Sequence, residues 1–142
     1  MMFRFVVAAL IACAISNAHA APPSVAAPAA VAATDSAALP GDPARGRKVF
    51  FQCRTCHYPE KAYGNHNGPN LYGVFGRKAG TREGYERYSE TMKNAGFVWT
   101  PKLLDFWLAH PDTFLPGSNM IVFKTTAQER ADLIAYLQQF HD

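Results

Sequence analysis

The chain has 142 residues, which is enough for one modest domain and excludes a two-domain protein. Its formal net charge at pH 7 is +3, and its basic residues form no stripe of the nucleic-acid-binding kind. The charge is unevenly distributed: residues 45–102 contain eleven basic and four acidic residues, whereas residues 103–142 contain two and five. This asymmetry predicts an electrostatic dipole that would orient a charged partner.

The first twenty residues have the features of an export signal. Arg4 supplies a positive charge, residues 5–15 form an apolar run, and residues 18–20 have the small-x-small pattern at which signal peptidase cleaves. A retained membrane anchor is the alternative, but a spanning helix needs about 20 apolar residues. Cys13 lies in a sequence similar to a lipoprotein cleavage box, and we interpret it as an apolar residue of the discarded peptide. We therefore predict that residues 1–20 are a signal peptide and that the mature protein is periplasmic, with no membrane-spanning segment.

A linker is predicted before the folded unit. Residues 21–40 contain nine alanines and four prolines and have no periodic apolar face, which indicates an extended, solvated segment. Residues 41–142 have neither an internal repeat nor the alternating pattern of strands. They predict one all-α domain.

The first predicted helix leads into the only two cysteines beyond residue 20. Asp42 followed by Pro43 is typical of an N-cap and the first helical position. The helix then runs towards the motif Cys53-x-x-Cys56-His57. This spacing occurs in redox disulfides, in zinc sites and in covalent haem attachment.

The rest of the sequence favours haem attachment. A structural zinc site needs four ligands, and no further cysteine or suitably spaced histidine is present in residues 41–142. A thioredoxin-type pair would belong to a βαβ pattern, which this sequence lacks. Haem attachment uses all three residues of the motif, because each thiol adds to a vinyl group and the adjacent imidazole then reaches the iron. Export agrees with this chemistry, since bacterial haem attachment takes place outside the cytoplasm.

A glycine-rich loop follows the motif. Residues 66–84 contain five glycines and a proline, too many for a helix. So long a loop is unusual in a compact domain, but a haem at the centre of the domain would give it a surface to enclose. Glycine would allow the backbone to approach the porphyrin closely.

Three further helices are predicted from their ends. Their N-caps are Ser89, Thr100 and Thr126, and Gly96 and Pro111 end the first two. Thr126 and Glu129 form a capping box. Apolar residues recur at three-and-four spacing in the two longer helices, which predicts that these helices surround the haem with hydrocarbon.

Two methionines of the predicted domain are candidates for the second axial ligand of the iron. Met92 lies within the short helix after Ser89, where we expect it to pack in the core. Met120 follows a Pro116-Gly117 turn in an extended stretch, from which a thioether could reach a flat ring. We predict His57 and Met120 as the axial pair, a combination that raises the reduction potential.

The domain resembles class I cytochromes c, of the mitochondrial type and its soluble bacterial relatives. The resemblance covers residues 41–142, and five stretches carry it: Cys53 to His57, residues 68–80, Trp99, residues 116–120 and residues 129–137. It implies a small all-α fold of four to five helices and a glycine-rich loop around one covalently bound haem c.

The resemblance also implies individual roles. Cys53 and Cys56 match the thioether positions, His57 and Met120 the axial ligands, and Pro69 the carbonyl that accepts a hydrogen bond from the imidazole. Residues that match contacts to the haem propionates are Arg77, Tyr88, Trp99 and Ser118. Residues that match the crossing of the first and last helices are Gly46, Phe50, Leu133 and Tyr136.

Several positions differ from the family pattern. An extra residue after Gly84 leaves Tyr85 as an alternative to Tyr88. Trp107 replaces a tyrosine that usually hydrogen-bonds near the methionine sulfur, and an indole can only donate. Familiar lysine positions around the haem edge are occupied by uncharged or acidic residues, namely Gln52, Asp112, Thr113 and Asn119.

The function that these features predict is that of a periplasmic one-electron carrier rather than an enzyme. As the resemblance implies, a monomer would carry electrons between respiratory or photosynthetic complexes. Its transient partners would be a membrane quinol-oxidising complex and a terminal oxidase, or other redox proteins. One alternative is the electron-accepting subunit of a particular periplasmic dehydrogenase. The other is an open-site haem enzyme or gas sensor, which would require that Met120 not ligate the iron.

Overall fold

The computed structural model describes residues 39–142. The predicted signal peptide (1–20) and the predicted linker up to residue 38 lie outside the described residues. The described part of the chain contains five α-helices and no β-strand, which confirms the predicted fold class. The helices are α1 (Pro43–Phe50), α2 (Glu90–Lys93), α3 (Pro101–Ala109), α4 (Pro111–Phe114) and α5 (Ala127–Leu137), with a 3₁₀ turn at Lys61–Tyr63.

The helices begin at the predicted caps. The Asp42 carboxylate accepts hydrogen bonds from two backbone N–H groups of the first turn of α1. The hydroxyl of Thr100 accepts from the N–H of Leu103 (3.1 Å) at the start of α3. Thr126 and Glu129 form the complete capping box of α5. Local polar chemistry therefore fixes where these helices start.

One helix end differs from the prediction, and one short helix was not predicted. Gly96 was predicted to end α2, but the helix is capped two residues earlier, at Asn94. Gly96 nevertheless has the left-handed φ of 73° that glycine favours. Pro111 follows the cap of α3 as expected, but it also begins α4, which the sequence analysis missed. The reason is that proline is well suited to a first helical position, where its missing N–H has no partner to lose.

Helices α1 and α5 cross at very close range. A Cβ built on Gly46 would lie 2.0 Å from the carbonyl oxygen of Asp132, so only glycine permits this approach. The rings of Phe50 and Tyr136 pack beside it, with centroids 5.5 Å apart. Phe50, Leu133 and Tyr136 are all buried. The crossing implied by the resemblance is thus present.

A buried carboxylate ties the same two helices together. Asp132 accepts four hydrogen bonds, from the backbone N–H of Asp42 (2.8 Å), from Nε and Nη2 of Arg45 (2.7 and 2.8 Å) and from Nε2 of Gln128 (2.9 Å). The hydrogen bonds from Arg45 are the main reason that the pKa of Asp132 lies well below its ordinary value. A single side chain of α5 therefore fixes the start of α1.

Aromatic and aliphatic side chains at and before α3 form a wall of the core. Trp99, which precedes α3, and Trp107 within it lie with ring centroids 5.0 Å apart, and both are buried. Phe97 meets Trp99 edge-on at 4.8 Å. Met92 is buried in the same core, which confirms its predicted packing role. No helix among residues 39–142 is long and apolar enough to cross a membrane.

Candidate functional site

The two cysteines lie on a tight turn that continues from α1. The N–H of Cys53 donates to the carbonyl of Phe50 (2.9 Å), and the N–H of His57 donates to the carbonyl of Cys53 (2.9 Å). The thiols are not joined in a disulfide. Burial, with a smaller contribution from Cys56, raises the pKa of Cys53 to about 11. A protonated, partly buried thiol does not resemble the low-pKa nucleophile of a redox dithiol.

His57 is prepared to bind a metal through one nitrogen. The side chain is buried, and its Nδ1 lies 2.7 Å from the carbonyl oxygen of Pro69. Because a carbonyl only accepts, Nδ1 must carry the proton, and Nε2 keeps its lone pair. Burial lowers the pKa of His57 more than the Pro69 hydrogen bond raises it, so the ring is neutral. Neutral imidazole with an anchored second nitrogen is the usual form of a histidine ligand.

Gly68 makes room for this ring. A Cβ at position 68 would lie 2.3 Å from Cε1 of His57, and the N–H of Gly68 donates to the carbonyl of Cys56 (2.8 Å). In the sequence, only its place in the glycine-rich loop had marked Gly68. The other four glycines of that loop have positive φ, a backbone conformation that glycine adopts without strain.

Met120 lies in the irregular segment between α4 and α5. It is partly buried and packs against the hydrophobic core, and its N–H donates to the Ser118 hydroxyl (3.4 Å). The preceding turn is anchored by Thr91, whose hydroxyl donates to the carbonyl of Pro116 (2.9 Å). The next residue, Ile121, is 81% exposed. Met120 therefore lies between the core and an exposed apolar position.

Of the four residues predicted at the propionates, Arg77 and Trp99 are hydrogen-bonded to each other, and a third, Tyr88, lies within range of the Arg77 charge. Arg77 donates to the carbonyls of Asn70 (3.0 Å) and Tyr72, and its own carbonyl accepts from the N–H of Trp99 (2.9 Å). Burial and the nearby Arg82 lower the pKa of Arg77, and the charge of Arg77 acts in turn on Tyr88. The fourth residue is Ser118, whose described hydrogen bond is to the N–H of Met120.

The structure distinguishes the two tyrosines. The hydroxyl of Tyr85 donates to the carbonyl of Asn67 (2.8 Å), so its single proton is used within the loop. The hydroxyl of Tyr88 instead accepts from the N–H of Arg82 (3.4 Å), which leaves its proton available to another acceptor. Tyr88 is therefore the better donor to a bound carboxylate.

Asn70 organises the loop from within, a role that the sequence analysis did not assign. It is fully buried, its amide donates to the carbonyl of Glu60 (2.9 Å), and its side-chain oxygen accepts from the N–H of Tyr72 (2.9 Å). Its backbone carbonyl accepts from Arg77. An asparagine within a glycine-rich loop was the only available signal.

The site as a whole suits a covalently attached haem. It offers two thiols on one turn, a neutral imidazole and a thioether. Two buried donors, Nε1 of Trp107 and Nε of Arg82, have no hydrogen-bond partner among residues 39–142. Buried donors without acceptors are rare in native proteins, and here they are consistent with a bound group that carries acceptors.

Comparison with known proteins identifies the family. The sequence model of the family described as "Cytochrome c" matches residues 43–141. The cytochrome c of Ginkgo biloba is 43% identical over 109 residues, covering 75% of this chain and 96% of the relative. The chain belongs to the cytochrome c family. Cytochrome c2 of Rhodomicrobium vannielii is 40% identical over 114 residues, covering 80% of this chain and 90% of that protein.

A solved structure agrees with this membership in the cytochrome c family. Cytochrome c2 from Rhodospirillum centenum matches with a TM-score of 0.67 and 35% sequence identity, covering 72% of this chain and all of that one. The predicted fold and cofactor are both confirmed: the chain has the class I cytochrome c fold, and as a cytochrome c it carries covalently attached haem c with iron. It is a haem electron carrier that acts with redox partners.

Proposed function

We propose that this cytochrome c is a periplasmic one-electron carrier with a low-spin haem, attached through Cys53 and Cys56 and ligated by His57 and Met120. The observation that carries the proposal is the buried, neutral imidazole of His57, whose Nδ1–H is held by the Pro69 carbonyl at 2.7 Å. That hydrogen bond fixes the ring plane and increases the electron density available at Nε2.

Each residue near the haem has a definite task in this proposal. When bound, the haem iron supplies a centre that accepts and returns one electron. Pro69 and Gly68 position the imidazole, and the turn anchored at Pro116 positions the Met120 thioether. The buried side chains of Trp99, Trp107 and the other wall residues exclude water, which disfavours the additional positive charge of the ferric state.

We propose cellular roles for the three segments of the chain. Residues 1–20 would direct export, residues 21–40 would act as a solvated linker, and residues 41–142 would form the carrier. A close contact of Gly41 with α5, where an added Cβ would lie 2.3 Å from the Ala131 carbonyl oxygen, supports a folded unit that begins there. The electron donor and acceptor would be a membrane quinol-oxidising complex and a terminal oxidase. They would bind the monomer weakly and briefly.

Replacement of the proposed sixth ligand tests the function. The Met120→Ala holoprotein, recovered from the periplasmic fraction, should keep its covalent haem. It should also convert to high spin, because the thioether is gone, and should lose the ferric far-red sulfur–iron band. Optical spectra of both oxidation states measure this change. Met92→Leu is the matched control, since Met92 is buried in the core of the described residues and should leave the low-spin spectrum unchanged.

Two results would contradict the proposal. A low-spin spectrum that is unaltered in Met120→Ala would remove Met120 from the iron. Carbon monoxide binding to the reduced wild-type protein at neutral pH would instead indicate an open haem site, as in an enzyme or a gas sensor.

A further inference from the structure

Two arginines, one beside Trp99 and one beside Tyr88, have no carboxylate partner among the described residues. Arg77 is half-buried and donates only to backbone carbonyls in the described structure. Nε of Arg82 is buried and has no acceptor among residues 39–142. Neither guanidinium takes part in any ion pair of the described residues, whereas Arg45 and Arg130 pair with Asp132 and Asp105 at 2.7 and 2.8 Å.

The positive charges of the two arginines oppose each other. Burial lowers the pKa of Arg77, and the charge of Arg82 lowers it further. Placing two like charges together at a partly buried site is unfavourable unless an anion lies between or beside them. A buried N–H without an acceptor adds a desolvation penalty that the same anion would remove.

The groups around Arg82 are those expected at the haem propionates. The backbone N–H of Arg82 donates to the hydroxyl of Tyr88 (3.4 Å). The backbone carbonyl of Arg77 accepts from the backbone N–H of Trp99 (2.9 Å). The two hydrogen-bonded pairs are linked by charge, because Arg77 acts on Tyr88 and Arg82 acts on Arg77. Arg82 was not among the residues that the family resemblance supplied.

We propose that Arg82 is a second cationic haem-binding residue, which donates from its buried Nε to a propionate carboxylate and raises the reduction potential of the iron. The inference rests on the proposed haem-carrier function. A charge-assisted hydrogen bond from a planar guanidinium suits a carboxylate acceptor. Its positive charge also stabilises the ferrous state, which has one positive charge fewer than the ferric state.

Charge removal at this position tests the proposal by potentiometric titration of the holoprotein. Arg82→Gln should lower the equilibrium constant for reduction by about tenfold, which is ~59 mV for a one-electron couple. Arg82→Lys retains the charge and should stay within about threefold of the wild type. Arg87→Gln is the matched control, because the exposed Arg87 donates to the backbone carbonyl of His66 and should leave the potential unchanged. A wild-type potential in folded Arg82→Gln would overturn the proposal.

A second measurement needs no variant. In the reduced, diamagnetic wild-type protein, the Nε–H of Arg82 should exchange slowly with solvent and show nuclear Overhauser contacts to the propionate methylene protons. Rapid exchange without such contacts would refute the assignment even if the variants failed to mature. A wild-type protein without low-spin haem would contradict the proposed function instead, so the two failures can be told apart.

Discussion

The helix crossing and the region that we propose to face the haem satisfy their polar groups in opposite ways. At the crossing, Asp132 is buried and accepts four hydrogen bonds, all from the protein itself. By contrast, two buried donors, Nε of Arg82 and Nε1 of Trp107, find no acceptor among the described residues. We call these two groups the wall donors. The chain alone completes the first region, whereas a bound carboxylate or other acceptor would complete the second.

This difference predicts that the two regions control different properties. Substitutions at the crossing should reduce the free energy of unfolding and leave the spectrum of the folded holoprotein unchanged. Substitutions of wall donors should change the reduction potential more than they change stability. A crossing variant with an altered potential, or Arg82→Gln with a large loss of stability and no change in potential, would break the comparison.

The largest effect on stability is expected for Gly46→Ala. Intrinsic helix propensity favours alanine over glycine by about 1 kcal/mol, but the added Cβ would lie 2.0 Å from the Asp132 carbonyl oxygen, which is backbone and cannot rotate away. Forcing α1 and α5 apart should lower the free energy of unfolding by about 3 kcal/mol. Denaturant unfolding of the holoprotein measures this loss.

The sign of the change in the free energy of unfolding shows whether the gain in helix propensity or the clash with the Asp132 carbonyl is larger. Ala44→Gly is the matched control on the same helix, because Ala44 is exposed and should show only the propensity cost of about 1 kcal/mol. If Gly46→Ala were more stable than the wild type, the close crossing would not exist in solution.

The next prediction concerns the Asp132 carboxylate and pH. The hydrogen bonds from Arg45 hold the pKa of Asp132 well below its ordinary value, so the unfolded state takes up a proton first as the pH falls. The stability contributed by this group is therefore present above about pH 4, its unfolded pKa, and is lost as the pH falls towards the folded value. Asp132→Asn should melt at a lower temperature than the wild type at pH 7, and the difference should shrink towards pH 2.

A surface pair provides the comparison for Asp132. Asp142 also accepts from a cation, Lys61 at 2.6 Å, but the Asp142 side chain is 82% exposed and solvent screens the pair. Asp142→Asn should therefore change the melting temperature at pH 7 much less than Asp132→Asn does. Equal shifts for the two variants would show that burial of the carboxylate is not what matters.

The sequence predicted the local features of the fold well because their causes are local. Asp42, Thr100 and Thr126 start their helices through hydrogen bonds that span two or three residues. The role of Gly46 came only from the family resemblance, since its reason is a carbonyl 86 residues away in the chain. Helix α4 was missed because Pro111 both stops one helix and suits the start of the next.

The haem-attachment residues could be proposed from a sequence motif. Residue roles that depend on burial could not be proposed from the sequence. The spacing of Cys53, Cys56 and His57 predicted haem attachment only together with the rest of the chain, which offers no further zinc ligands and no βαβ pattern. The sequence could not distinguish Tyr88 from Tyr85, because the difference lies in which hydroxyl proton is already used by Asn67. Arg82 was missed because neither the burial of its Nε nor its closeness to Arg77 is encoded in any short pattern.

The smallest effects are predicted for two adjacent threonines. One hydroxyl has a hydrogen-bond partner within the protein, and the other has none among the described residues. Thr126 accepts from the N–H of Glu129 (3.2 Å) in the capping box of α5, so Thr126→Ala should cost about 1 kcal/mol. The Thr125 hydroxyl is buried without a partner among the described residues, so Thr125→Val should be neutral or slightly stabilising. Thermal unfolding of both variants, with Thr126→Ser as the cap-preserving control, gives the contrast. A loss in Thr125→Val as large as that in Thr126→Ala would mean that the Thr125 hydroxyl has an acceptor in the holoprotein, and position 125 would then belong with the wall donors.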